Sequence, residues 1–492
     1  MSALLDALQP PGGVPVELDA ADPRVRALLA DVPANLLKGH GQVFTRFRFV
    51  RFRDRVGGRR WAAEVGRTVT VAAERPVVTV ALSFTAAGLR QLGCLDRVPV
   101  VLRGGRDPFR EGLLTPRHAV RGGRAGELLG DGAEEWEPAY RQELHALLAV
   151  SFDESARAEA ERFWAAALAR PELDLGGGVG PATPEEEGGR LYDAGGRSGG
   201  REVEHFGFRD GVAVMRFLPP ALHPSAARRN ADLYPLRQVL VPLAGAEGAE
   251  QFGSFLVYRK LEQDVAAFDR QLGELAVAAY GDDSGLARER AGAWLMGRFR
   301  DGSPAVLHDR PVGDDTDDFT YRDPVDDAGR RGGGRRCPFH AHIRKMNPRG
   351  DHEPHEAIDP RARLPVRRSL SYGRRPLRGG DERVLDPGLL PEPGERVGML
   401  FLAYVADLGA QFEHLVEHWA NRGGFPHGAP ADPLIGRTAA SAVAVPLPDV
   451  AGAGRAGARP FAGTVRARGG VYLFAPPRSF FHQLAGSSAF SP

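Results

Sequence analysis

Between Gln42 and Phe52 the chain reads QVFTRFRFVRF, so that Val43, Thr45, Phe47, Phe49 and Arg51 alternate with Phe44, Arg46, Arg48, Val50 and Phe52. A period of two carried by aromatic and β-branched residues predicts a strand. VVTVALS, Val77 to Ser83, predicts a second strand, and Thr85 stands as N-cap before AAGLRQLG, a short helix closed by a glycine. ELHALLAVSFDESARAEAERFWAAALA, Glu143 to Ala169, follows a helical pattern, and the Gly/Glu/Arg-rich stretch from Gly176 to Arg201 reads as loop. The second half repeats the theme. QVLVPLA, Gln238 to Ala244, and SFLVYRKL, Ser254 to Leu261, are strand-like and precede a helix through LEQDVAAFDRQLGELAVAAY. Asp309 to Arg336, dense in Asp, Arg and Gly, predicts exposed loop. GMLFLAYVA, Gly398 to Ala406, predicts a buried strand, QFEHLVEHWANRGG a helix ending at glycine, and GGVYLFAPP a late strand stopped by prolines. Strands and helices alternate in both halves, which predicts an α+β fold built by duplication.

Length agrees with duplication, since 492 residues exceed one ordinary core. Lys and Arg number 64 against 63 Asp and Glu, a net charge of +1, so no global field favours nucleic acid or an anionic membrane, and any basic site is local. Two cysteines, Cys94 and Cys337, suggest neither a zinc site nor a disulfide framework and point to a reducing compartment. The N-terminal MSALLDALQPPGGVPVELDA has no basic stretch before an apolar run, and no 18-residue apolar stretch follows. The expectation is a soluble, cytoplasmic protein. With 62 Gly and 39 Pro, long loops are expected.

Candidate chemistry gathers in CPFHAHIRKMNPRG, Cys337 to Gly350, where His340 and His342 stand among Arg344, Lys345 and Arg349. In a strand the two histidines would face one way, while in a helix they diverge by about 200° and do not bind one metal together. The arginines match carboxylates or phosphates bidentately. One imidazole with cationic neighbours reads more like haem than zinc, although a solvated basic turn fits this segment equally well. HFGFRDGVA sets Asp210 in a glycine-flanked turn, either a general base or, more commonly for Asp-Gly, a plain turn. RARLPVRRSLSYG offers Arg367 or Arg368 to a developing negative charge, or a basic edge that discourages sheet aggregation. His340, His342, His352 and His355 lack an accompanying HExxH motif, which disfavours a zinc hydrolase.

Together these segments resemble the dye-decolorizing peroxidase family over most of the chain. ANLLKGHGQVFTRFRF is similar to the family's opening strand, and Gly207, Asp210 and Gly211 fit its Gly-x-x-Asp-Gly motif. GSFLVYRKLEQDV resembles the entry to the second half, CPFHAHIRKMNPR the segment bearing the iron ligand, and SYG after a double arginine the distal arginine segment. The resemblance implies duplicated ferredoxin-like halves with antiparallel sheets. Residues 1–215 would form the N-terminal half with the motif, and 216–492 the C-terminal half that binds the haem. The implied cofactor is haem b, iron protoporphyrin IX, with His342 as iron ligand, while His340 falls where small residues are more usual. The resemblance further implies Asp210 as distal acid–base group and Arg367 as distal arginine, with Arg368 as fallback. Asp432, in DPLIG, corresponds to the acid behind the proximal histidine, an ordinary Asp-Pro turn being equally open. Arg344 or Lys345 would meet a haem propionate or face solvent. The implied reaction is reduction of hydrogen peroxide with one-electron oxidation of organic donors, dyes and phenolics, via a ferryl intermediate, with Tyr372 as a surface relay for bulky dyes. The alternative is a haem-binding or deferrochelatase-like protein with little turnover. Partners are then hydrogen peroxide and small reductants, with no nucleic acid and no membrane, and nothing indicates the oligomeric state.

Overall fold

The computed structural model describes residues 2–9, 18–114, 129–176, 181–194, 200–211, 215–218, 233–245, 250–321, 337–350, 359–376, 384–437, 442–448 and 457–486. The opening alternation forms the strand Phe44–Phe52. It pairs antiparallel with Ala146–Phe152 on one side and Glu185–Gly189 on the other, and Ala146–Phe152 pairs in turn with Val78–Phe84. Helices Arg55–Gly66 and Arg157–Leu168 make the crossovers. The chain order is therefore β-α-β-β-α-β, with the fourth strand beside the first, then the third and second.

The second half repeats this plan. Phe252–Gln263 leads into helix Val265–Tyr280, then come the short strands Val366–Arg367 and Leu370–Tyr372, then Gly398–Val405, and finally Val465–Ala475. Phe252–Gln263 lies between Gly398–Val405 and Val465–Ala475. The two sheets join at both margins, through Ser371 opposite Gly189 and Phe474 opposite Phe84, so one 11-stranded sheet closes on itself. Closure leaves few unpaired backbone groups at sheet edges. Phe47, Phe49 and Leu148 from the first half pack with Tyr258, Leu400 and Leu473 from the second in a shared core.

Several expectations change. The helical pattern over Glu143 to Ala169 divides into strand Ala146–Phe152 and helix Arg157–Leu168. ALLAVSF is buried at every position in the middle of the sheet, and a continuous apolar run does not reveal its period. The stretch read as loop holds the strand Glu185–Gly189. Its Glu185 meets Arg46 at 2.8 Å and Arg48 at 3.0 Å, and a Cβ at Gly188 would lie 2.9 Å from that of Leu370, so pairing partners made this strand. Of Gln238 to Ala244 only Val241–Pro242 is strand. The helix over residues 409–420 forms with wider turns, Glu413 N–H reaching Leu408 O and Asn421 N–H reaching Val416 O, both at 2.9 Å. Within the predicted exposed loop Asp317 and Tyr321 are buried, and residues 322–336 lie outside the described ones.

Candidate active site

A cavity of about 520 Å³ is walled by Leu261, Ile343, Phe401, Phe412, Val416 and Ile435 among others. His342 opens the five-residue helix His342–Met346 and lines this cavity. The helix sits close against Gly297, whose φ is +96° and whose added Cβ would fall 2.4 Å from Ile343 Cγ1. Only glycine combines that backbone with that approach. His342 Nδ1 lies 2.8 Å from Asp432 Oδ2. Asp432 is fully buried, and its Oδ1 accepts from the N–H groups of Leu434 at 2.8 Å and Ile435 at 3.1 Å. Burial alone would raise this carboxyl, but the charge and hydrogen bond of His342 and the two N–H groups outweigh it and hold Asp432 below the ordinary range. An ionised Asp432 keeps the imidazole proton on Nδ1 and leaves the lone pair on Nε2.

The neighbouring motif residues go elsewhere: His340 lies in the turn before the helix, and along the helix successive side chains diverge by about 100°, which carries Arg344 and Lys345 away from His342. His340 is 2 % exposed, edge-on to Trp294 at 5.8 Å, and burial lowers its pKa to about 3, so it is a neutral packed side chain. The expectation for Arg344 is corrected. Its guanidinium is buried over Phe339 at 4.2 Å and Tyr321 at 4.8 Å and donates to Cys337 O, away from the cavity. Lys345 is likewise buried, donating to Phe425 O and, at 2.9 Å, to Pro430 O. Arg298, Arg349 and Arg437 line the cavity instead. Arg298 and Arg349 share Asp317, the former at 2.9 Å. Of these three, only Arg349 stood out in the sequence, because Arg298 and Arg437 come from separate segments.

Arg367 lines the same cavity. Arg368 follows it on a strand-like segment and takes the other face, where its Nε donates to Asn35 O at 2.8 Å and burial lowers its pKa to about 10. Asp210 Oδ1 stands 4.0 Å from Arg367 Nη1 and accepts from Gly211 N–H at 2.7 Å. The turn that presents Asp210 is held by buried Glu204, which accepts from Phe206 N–H at 2.9 Å and Phe208 N–H at 3.0 Å across Gly207, φ +87°. His205 Nε2–H donates to Tyr372 O at 2.9 Å, and Arg375 donates to His205 O, so the turn is stitched to the strand segment bearing Arg367. Sequence reasoning missed Glu204, whose one signal is a carboxylate just before a glycine-containing turn. Tyr372 is buried, not a surface residue, with Lys260 Nζ 5.1 Å from its ring centre. His352 and His355 lie outside the described residues. No cluster of three or more His, Cys, Asp or Glu suited to a metal ion occurs among the described residues.

The multifunctional dye peroxidase DyP2 of an Amycolatopsis species is 35% identical to this chain over 380 residues, 73% of the chain and 75% of that protein. The chain belongs to the dye-decolorizing peroxidase family. A second dye-decolorizing peroxidase, from Mycena epipterygia, is 30% identical over 383 residues, covering 74% of this chain and 64% of the fungal one. The crystal structure of a DyP-type peroxidase from Anabaena superposes with a TM-score of 0.79 at 26% identity, covering 98% of this chain and 100% of that one. For the DyP2 structure the TM-score is 0.77 at 29% identity, over 96% and 99%. No protein-family model matches the sequence. Dye-decolorizing peroxidases are haem enzymes. The donor set fits such a group: an imidazole with its lone pair held on Nε2, apolar walls for a flat ring, and arginines for its carboxylates.

Proposed function

We propose that this dye-decolorizing peroxidase holds haem b through His342 and reduces hydrogen peroxide with Asp210 and Arg367, taking electrons singly from small organic donors such as phenolics and dyes. One observation carries the reading: His342, backed by the buried Asp432, and Arg367, with Asp210 beside it, face a single arginine-lined, largely apolar cavity. When bound, haem supplies a redox-active iron with one coordination position open to peroxide.

Asp210 would accept a proton from one peroxide oxygen and return it to the other, which would leave as water, the bound haem supplying the two electrons that O–O cleavage needs and the organic donors restoring them one at a time. Arg367, 4.0 Å from Asp210, would stabilise the negative charge that develops on the departing oxygen. Asp432 would make His342 a more basic ligand by accepting the hydrogen bond of its Nδ1–H. Arg298, Arg349 and Arg437, which line the cavity, would offer their guanidinium groups to the haem carboxylates. We assign residues 1–215 to the half that supplies Asp210 and 216–492 to the half that supplies His342 and Arg367, and a cytoplasmic setting agrees with two buried cysteines, Cys94 and Cys337, that form no disulfide. No helix among the described residues is long and apolar enough to cross a membrane.

The test is stopped-flow mixing of haem-loaded protein with peroxide. Asp210→Asn and Arg367→Leu are expected to bind haem as the parent does and to lose its rapid reaction. A parent that binds haem without reacting would replace this reading with haem binding or deferrochelatase-like chemistry.

A further inference from the structure

Arg367 and Arg368 line two different cavities. That of Arg368 measures about 20 Å³, room for a single particle near the size of a water molecule. Arg368 Nε donates to Asn35 O at 2.8 Å and Nη1 to Arg367 O at 2.9 Å, both neutral acceptors, which leaves the remaining guanidinium N–H groups without a partner among the described residues. No Asp or Glu lines the cavity, and the charged group that acts on Arg368 besides Tyr404 is a second cation, Arg190. A buried cation without a counter-charge is costly.

The rest of the polar lining is rich in donors. His40 is neutral, because burial and then the charges of Arg190 and Arg368 lower its pKa to about 3. Gln42 N–H donates to its Nδ1 at 3.2 Å, so the ring proton sits on Nε2 and points at Ser151 Oγ, 3.2 Å away. Ser151 Oγ lies 2.8 Å from Thr45 Oγ1. Whichever of these hydroxyls donates to the other, one O–H hydrogen is left over, and Ser83 and Tyr404 bring further hydroxyls to the same cavity. The acceptor without a partner there is Asn35 Oδ1, and turning that amide over presents its NH₂ instead. A water molecule would accept from two donors and bring two more hydrogens to a place short of acceptors. An anion accepts from every donor and neutralises Arg368.

We propose that this cavity binds one small monovalent anion, of the size of chloride, ion-paired with the Arg368 guanidinium and hydrogen-bonded by the surrounding hydroxyls. Arg368 N–H donates to Leu402 O at 2.8 Å and its Nη1 to Arg367 O, so the anion fixes the strand segment that presents Arg367 to the larger cavity. The site itself requires neither haem nor the distal role given to Arg367.

Bromide is the probe, with gluconate, too large for the cavity, as control at equal ionic strength. The unfolding temperature of the haem-loaded parent is expected to rise with bromide to a plateau and not to rise with gluconate, as binding to the folded state alone requires. Arg368→Gln is expected to lose that rise. Crystals of the parent soaked in bromide are expected to show an anomalous peak beside the Arg368 guanidinium. A cavity without bromide in those crystals would overturn the proposal whether or not the variant folds, as would a bromide-specific rise that persists in Arg368→Gln.

Discussion

Asp432→Asn changes one atom of a buried carboxylate and tests the proximal side directly. The parent Asp432 accepts three hydrogen bonds, from His342 Nδ1 at 2.8 Å, Leu434 N–H at 2.8 Å and Ile435 N–H at 3.1 Å. An asparagine keeps its oxygen for the two backbone donors and turns its NH₂ toward His342. Two donors then meet, and His342 relieves the clash by moving its proton to Nε2, the nitrogen needed as ligand. A hydrogen bond to a charged group contributes about 1.5–3 kcal/mol, or roughly 10- to 100-fold in an equilibrium constant. Loss of an outer-shell partner of a ligating histidine costs about 10–100-fold in metal affinity, so the two estimates agree. The assay is titration of the apoprotein with haem, followed by absorbance. The same variant has a second signature in stability. The folded Asp432 carboxyl lies below its ordinary 3.8, so its contribution is present above the unfolded value and is lost as pH falls through the folded one. Asp432→Asn lacks that acid-dependent loss. Haem affinity within twofold of the parent would refute the assignment of Asp432 as the partner that orients the ligand.

Arg367→Leu is expected to slow the peroxide reaction by about 10²–10³-fold with haem affinity retained, measured by stopped flow; an unchanged rate would remove Arg367 from the distal site. His340→Leu is expected to retain the haem spectrum of the parent, whereas His342→Ala loses it. The neutral His340 carries a pKa of about 3 against an ordinary 6.5, so the unfolded chain binds the proton first and stability falls as pH drops from 6.5 toward 3. Thermal melts at pH 8 and pH 4 (roughly, the two sides of that window) should therefore differ less for His340→Leu than for the parent. Gly297→Ala drives a Cβ to 2.4 Å from Ile343 Cγ1 at φ +96°. A loss of about 1–3 kcal/mol and weaker haem binding are expected, read by denaturant unfolding and haem titration.

Much of the frame was legible in local pattern. The alternation at Phe44–Phe52, the capped helix Ala86–Leu92 with Thr85 and Gly93 at its ends, and the strand Gly398–Val405 all form where expected, because neighbours in sequence carry those signals. The sequence also singled out His342, Asp210, Arg367 and Asp432 through short motifs. It did not expose the strand Glu185–Gly189, whose EEEGG is strand only because Arg46 and Arg48 face it and Leu370 packs over its glycine. It likewise concealed Glu204, which acquires meaning from the turn it holds.

What the sequence determined by itself was therefore the inventory: which segments alternate, which turns need glycine, and which few side chains are candidates for chemistry. The tertiary structure decided direction. Arg367 and Arg368 are adjacent, so strand alternation sends them to opposite faces, whereas His340 and His342 part because His340 lies in the turn before the helix that His342 opens. Local geometry alone does not say which member of each pair meets the cavity. That follows from how the sheet closes and where Gly297 and the Asp432 loop receive the ligand helix, contacts between residues far apart in the chain that no local pattern encodes.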